Sequence, residues 1–170
     1  MDYNSFSDIY DFTCLGVEGD VEFFIELAKK LDGEVLEVGV GTGRVYLELI
    51  KAGVSAVGID DSEKMLKVLE KKAMAEDVQV SIRNESVASL GEESRYALII
   101  LPYRMFMHLY ELNVQLDALR RLKRALKPGG TMVIDLFNPD IPRIAKGKSE
   151  FLMDETNEYK VWLKEEFDAY

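Results

Sequence analysis

Short β-branched, leucine-rich runs alternate with longer stretches of helical spacing along most of this 170-residue chain. Five runs read as buried strands, at residues 34–38, 55–60, 78–83, 97–101 and 131–137. Their near-continuous Val, Ile and Leu content is what a sheet covered on both faces requires. Between them, apolar positions recur every three or four residues. Leu116, Leu119, Leu122 and Leu126 mark a helix within 113–127, and Met65, Leu66, Leu69 and Ala73 mark one within 62–75, with Ser62 as its N-cap. Phe23, Phe24, Leu27, Ala28 and Leu31 share one face of a helix at 22–31, just ahead of the first strand. The alternation from residue 34 to 137 predicts an α/β fold, a doubly wound and mostly parallel sheet.

The C-terminal stretch breaks this rhythm. Residues 151–154 and 159–167 read as the arms of a hairpin joined at 155–158, and the second arm alternates Tyr159, Val161 and Leu163 with Lys160, Trp162 and Lys164. Only 33 residues follow Phe137, whereas about 50 suit a helix and two further strands. The expectation is a core over residues 1–140 and an extension over 141–170, a helix and β-hairpin that begin an incomplete lid, with Trp162 partly exposed.

The first strand runs into Glu37-Val-Gly-Val-Gly-Thr-Gly-Arg44, with a helix expected directly after it. Alternate glycines at 39, 41 and 43 let the backbone turn tightly and approach a ligand closely. N–H groups at the next helix start would favour a phosphate or carboxylate. The second strand ends at Asp60, 19 residues beyond Gly41, where a carboxylate can accept from both hydroxyls of a ribose. A nucleoside cofactor across the ends of these two strands follows. Its class is set by the spacing: the dinucleotide pattern G-x-G-x-x-G would need glycine where Arg44 stands, and Glu37 places a carboxylate where pyrophosphate would be poorly served. A ligand carrying an ammonium and a sulfonium suits that carboxylate.

Composition narrows the partners. Carboxylates outnumber Lys plus Arg by 31 to 21, a net charge of −10, which opposes nucleic-acid phosphates and anionic lipid and favours a small ligand. No apolar run approaches the roughly 20 residues of a membrane span, and the polar, acidic start does not read as a signal or transit peptide. One cysteine, Cys14, permits no internal disulfide and fits a reducing cytoplasm. Oligomeric state is open between monomer and homodimer.

Three stretches in order, Leu36-Glu-Val-Gly-Val-Gly-Thr-Gly43, Val57-Gly-Ile-Asp-Asp-Ser-Glu-Lys-Met-Leu66 and Leu126-Lys-Pro-Gly-Gly-Thr-Met-Val-Ile-Asp135, make the chain resemble the class I S-adenosylmethionine-dependent methyltransferases. The opening Tyr3 and Ile9-Tyr10-Asp11 resemble the leader that often precedes this domain. The resemblance spans roughly residues 3–140. It implies a Rossmann-like methyltransferase core with S-adenosyl-L-methionine as cofactor. The methionyl end would pass Gly39, Gly41 and Gly43, with Glu37 near its amino group. Asp60 would hold the ribose, and Asp61 and Met65 would lie along the adenine. Glu85, Ser86, Val87 and Leu101 complete the expected cofactor set. Ser86 stands where the family usually has Asp, so Glu85 or the Ser86 hydroxyl would meet the exocyclic amine. Ala97 stands where another family Asp is usual, before strand four.

Methyl transfer from sulfonium is an in-line displacement on an activated carbon, so positioning supplies much of the rate. A base is needed only for a protonated nucleophile. The acceptor belongs beyond strand four, at Leu101-Pro-Tyr-Arg-Met-Phe-Met-His108. His108, the single histidine, is the candidate base, weighed against simple packing in a short helix. Tyr103 is the candidate pocket wall, since Pro102-Tyr103 lacks the other elements of the motif of nucleic-acid amino-methyltransferases. Met105, Phe106 and Met107 either line an apolar acceptor site or pack a core. No metal is expected. A small-molecule methyltransferase stands first, against a nicotinamide-dependent oxidoreductase and a non-catalytic or truncated cofactor-binding module.

Overall fold

The computed structural model describes residues 10–14, 16–138, 140–155 and 160–166. The elements are α1 (Tyr10–Thr13), α2 (Asp20–Leu31), β1 (Val35–Val38), α3 (Tyr46–Lys51), β2 (Ala56–Asp60), α4 (Glu63–Ala75), β3 (Ile82–Asn84), β4 (Tyr96–Leu101), α5 (Leu112–Ala125), β5 (Leu126–Ile134), α6 (Ile141–Ile144), β6 (Lys148–Glu155) and β7 (Lys160–Glu166). Single 3-10 turns occupy Val87–Ser89 and Met105–His108. The first five strands form one sheet in the order β3-β2-β1-β4-β5, every pair parallel. From β1 the chain winds outward to β2 and β3, then returns to β4 on β1's other side. The ends of β1 and β4 therefore flank the crevice where ligands of such sheets bind.

Alternation along the strands divides two cores. Val35, Leu98 and Ile100 face α2, α3 and α4, packing with Phe24, Tyr46, Leu49 and Leu69. Leu36, Val38, Ile59, Ile99 and Leu101 face the other way, against Leu122 and Ala118 of α5 and against Val87 and Leu90. Tyr46 is wholly buried, yet its hydroxyl shares its one proton between the carbonyls of Ala56 and Ser81 and accepts from the Ser81 N–H, so a polar atom is satisfied inside an apolar layer.

All five expected strands are present, with different ends. β3 is short, because Val78 and Val80 pack against the first core without pairing. β5 starts at Leu126 and skips register across Lys127–Gly130, passing from Tyr96↔Leu126 to Leu98↔Thr131. The leucine stripe expected in α5 shifts: Ala118, Leu122 and Ala125 are buried, and Leu116 is 42% exposed. At 3.6 residues per turn, Leu116 lies about 120° round the helix from Leu122. Ser62 caps α4 as expected, its hydroxyl accepting from the Met65 N–H at 3.3 Å. The C-terminal hairpin forms its own two-stranded antiparallel sheet, pairing Leu152 with Trp162, and Trp162 is 51% exposed. Its first arm is longer than expected, and the expected turn lies mostly outside the described residues. No helix among the described residues is long and apolar enough to cross a membrane.

Candidate active site

The loop after β1 is held from below. Gly39 and Val40 both donate N–H bonds to the Ile59 carbonyl at 2.8 and 3.0 Å. Gly41 donates to Asp60 Oδ2 at 2.8 Å, and Ser62 donates to Asp60 Oδ1 at the same distance. Asp60 thus ties the glycine loop to the cap of α4. A carboxylate offers about four lone-pair sites, so two remain for a vicinal diol. Burial pushes the Asp60 carboxyl above its ordinary range, and the two backbone bonds restrain the rise. Gly39 has φ +70, and a Cβ there would lie 2.3 Å from Met105 Cγ, so the loop and the 3-10 turn after β4 meet where only glycine fits.

A cavity of about 290 Å³ opens between this loop, the ends of β2 and β3, and residues 102–110. Glu37 lies in its wall, 2% exposed, and Glu37 Oε2 has no hydrogen-bond partner among the described residues. Burial drives its carboxyl well above the usual range; nearby Arg44 opposes this, while Asp60 and Asp20 add to it. Arg44 is the one permanent cation among the described lining residues. Its guanidinium makes a bidentate pair with Asp20 at the start of α2, at 2.8 and 2.6 Å.

Most of the expected residues converge here. Glu37, Gly39, Gly41, Asp60, Asp61, Met65, Glu85, Ser86 and Val87 line the cavity, as do Tyr103 and His108. Two expected members do not. Leu101 is fully buried in the α5-side core and does not border the cavity. Gly43 lies behind the loop, where a Cβ would be 2.8 Å from Leu69 Cγ and 3.1 Å from Leu47 Cγ, so it serves helix packing. The six-residue α3 begins at Tyr46, and its N-cap Val45 borders the cavity together with Arg44 and the loop backbone. At the β3 end of the cavity, Glu85 pairs with Arg83 at 3.3 Å, and the Ser86 hydroxyl accepts from the Ala88 N–H at 3.3 Å. At the other end, Met105 lines the cavity, Phe106 packs the second core and Met107 is exposed. Burial lifts the Tyr103 phenol above its ordinary pKa, helped by Cys14, with which its hydroxyl is hydrogen-bonded. Burial lowers the His108 pKa, so the ring is neutral near pH 7.

The sequence reading did not assign Tyr10, Thr42 or Arg44 to the site. Thr42, 1% exposed, donates to Asp11 Oδ1 at 2.5 Å, and Lys72 pairs with Asp11 Oδ2 at 2.9 Å, fastening α1 and Tyr10 over the loop. The available signals were the Tyr10-Asp11 leader and the cation directly after the last glycine.

A doubly wound sheet with a glycine loop, a carboxylate on its first strand and an acid ending its second has the form of a nucleoside-binding domain. A sequence profile described as "Methyltransferase domain" matches residues 35–130, more than half of the chain. The chain belongs to the class I S-adenosylmethionine-dependent methyltransferases, whose cofactor is S-adenosylmethionine. It is 32% identical over 112 residues to the cypemycin N-terminal methyltransferase of a Streptomyces species, covering 65% of this chain and 45% of that protein. It is 31% identical over 120 residues to the ubiquinone biosynthesis O-methyltransferase of Bordetella avium, covering 69% and 48%. Among solved structures it is similar to the CcbJ methyltransferase of Streptomyces caelestis, with 31% identity, a TM-score of 0.68, and coverage of 84% and 63%. This chain spans about half the length of the curated relatives it matches.

The residues present fit that cofactor. A buried carboxylate oxygen without a partner suits an ammonium, Arg44 suits a carboxylate, Asp60 retains lone pairs for a diol, and Met65, Ile59 and Val87 offer an apolar slot for a base.

Proposed function

We propose that this domain binds S-adenosylmethionine and transfers its methyl group to a small-molecule acceptor by in-line displacement. The observation that carries the reading is Glu37 Oε2: buried, facing the cavity and unpaired, it is costly unless a cationic ligand completes it. A residue that merely capped a turn would have found its partner within the protein. Glu37 accepts from the ligand's ammonium, Arg44 holds its carboxylate, and the free lone pairs of Asp60 take the ribose hydroxyls. Asp61 and Met65 lie along the adenine, and Glu85 or Ser86 meets its amine. When bound, the cofactor supplies a methyl carbon already activated by its sulfonium.

The rest of the rate falls to positioning. Tyr103, Met105 and Tyr110 form the wall against which the acceptor packs, and they exclude water. His108, neutral near pH 7, takes the proton of a nucleophile that arrives protonated. Residues 1–140 carry this chemistry, and 141–170 form an extension beside it. The net charge of −10 supports a small acceptor over nucleic acid, and the single cysteine supports a cytoplasmic setting, as monomer or homodimer.

Calorimetric titration with S-adenosylmethionine, S-adenosylhomocysteine and NAD tests this, on wild type and Asp60→Ala. Adenosylhomocysteine should bind, and the variant should bind roughly 10- to 100-fold more weakly, the worth of charge-assisted bonds to a ribose. Binding of NAD alone, or no nucleoside binding at all, overturns the reading.

A further inference from the structure

The turn after β4 is strained in a way that cofactor binding does not require. Tyr103 has φ +50 and Arg104 φ +65, both in the left-handed region, and neither is glycine. A Cβ crowds the carbonyl there, so two such residues in succession persist only where their surroundings dictate it. Asp135, the first residue after β5, supplies that constraint. Its N–H donates to the Leu101 carbonyl, and its Oδ2 accepts from the Tyr103 N–H, both at 3.0 Å. One residue therefore grips the chain on both sides of buried Pro102.

The turn aims an aromatic ring. Arg44 lies 5.6 Å and Arg104 5.4 Å from the Tyr103 ring centre, and the Arg104 guanidinium is also 4.6 Å from the Phe137 ring centre. The Tyr103 hydroxyl meets Cys14. Phe137 is two residues beyond Asp135, so the segment after β5 both clamps the turn and stacks on its exposed arginine.

We propose that Asp135 is a positioning residue for the acceptor side of the cavity: its carboxylate holds Tyr103–Arg104 in the left-handed turn and so fixes where the Tyr103 ring meets the cavity. The word acceptor rests on the methyltransferase reading; the turn and its clamp do not. Without the carboxylate, the Tyr103 N–H loses its partner, the turn relaxes toward ordinary backbone, and the ring leaves Cys14. Asparagine keeps an accepting oxygen in the same place and should preserve the turn.

Cys14 is the only cysteine, so its reaction with an aromatic disulfide reagent reports this one place. In Asp135→Ala the thiol should react roughly 5- to 30-fold faster than in wild type, the worth of one buried hydrogen bond, while Asp135→Asn should stay within about two-fold. Equal rates in wild type and the alanine variant, or equal acceleration in both variants, overturn the proposal. If Asp135→Ala does not fold, Arg104→Gly and Arg104→Ala decide, because both lose the guanidinium and only alanine keeps the Cβ. Glycine should unfold at higher urea; an alanine variant that matches or exceeds it shows an unstrained turn and overturns the proposal. Adenosylhomocysteine titration of the wild type runs alongside: failure to bind sinks the methyltransferase reading, and the thiol rates still decide the role of Asp135.

Discussion

Replacing Glu37 by glutamine should stabilise the protein at neutral pH while damaging cofactor binding. Glu37 is 2% exposed, one of its oxygens is unpaired, and burial raises its pKa well above 4.5. Above pH 4.5 the unfolded chain releases this proton while the folded chain keeps it. The unfolded state then binds fewer protons, so stability falls as pH rises. Each pH unit over which folded Glu37 stays protonated costs roughly 1 kcal/mol, so the cost by pH 7 is on the order of a few kcal/mol at most. Glutamine has no proton to lose, but its amide N–H groups enter the same poor environment, returning about 1–2 kcal/mol. The expected net gain at pH 7 is about 1–2 kcal/mol, or roughly 2–8 °C in Tm. The sharper quantity is the difference between the two proteins in urea unfolding at pH 5 and pH 7. It should move in the variant's favour by more than about 1 kcal/mol across that interval, since all other titrating groups are shared. A difference that does not change with pH would refute the argument that Glu37 is buried and unpaired. Adenosylhomocysteine should bind the variant at least about ten-fold more weakly, because an amide cannot neutralise an ammonium.

Two further outcomes follow from the same geometry. Gly39→Ala introduces a Cβ 2.3 Å from Met105 Cγ at φ +70, so thermal unfolding should show a loss of about 1–3 kcal/mol and calorimetry a weakened adenosylhomocysteine site. Once an acceptor bearing a dissociable proton is found, kcat should decline on the acid side below pH 6.5, where His108, its pKa lowered by burial, takes up a proton; His108→Gln should lower kcat by roughly 100-fold or more and abolish that limb, and a limb that survives in the variant would remove His108 from the role of base.

The sheet was legible because parallel strands must be apolar on both faces, and the runs around Val35–Val38, Ala56–Asp60 and Tyr96–Leu101 carry that signature without interruption. Strand ends were less legible. β3 keeps only Ile82–Asn84 because Val78 and Val80 are apolar for packing alone, and a hydrophobic run does not reveal which of its residues find a hydrogen-bonding neighbour. Leu116 misled for a related reason. Leucines every third or fourth residue mark a helix, but small alanines at 118 and 125 occupy the buried face of α5, and an alanine carries little weight in a hydrophobic pattern.

The site divides along the same line. Glu37 on β1, Gly39 and Gly41 on the loop after it, and Asp60 at the end of β2 were legible as neighbours of one cavity, because motif spacing fixes their position on strands whose register is set by the sheet. Gly43 belongs to the same glycine motif and Leu101 ends β4, yet neither borders the cavity: Gly43 packs against Leu69 and Leu47, and Leu101 is buried in the α5-side core. Arg44 and Tyr10 were missed because their placement depends on distant partners: Asp20 holds the guanidinium across 24 residues, and the Thr42–Asp11 bond holds α1 across 31. Asp135 is the extreme case. Its sequence neighbourhood is that of a strand ending, and only the pairing of β5 with β4 brings its carboxylate to the Tyr103 N–H, 32 residues away. An acid at the end of a parallel strand can serve the turn of the neighbouring strand as readily as a ligand, and the backbone of that turn, with two left-handed residues that are not glycine, is what separates the two uses.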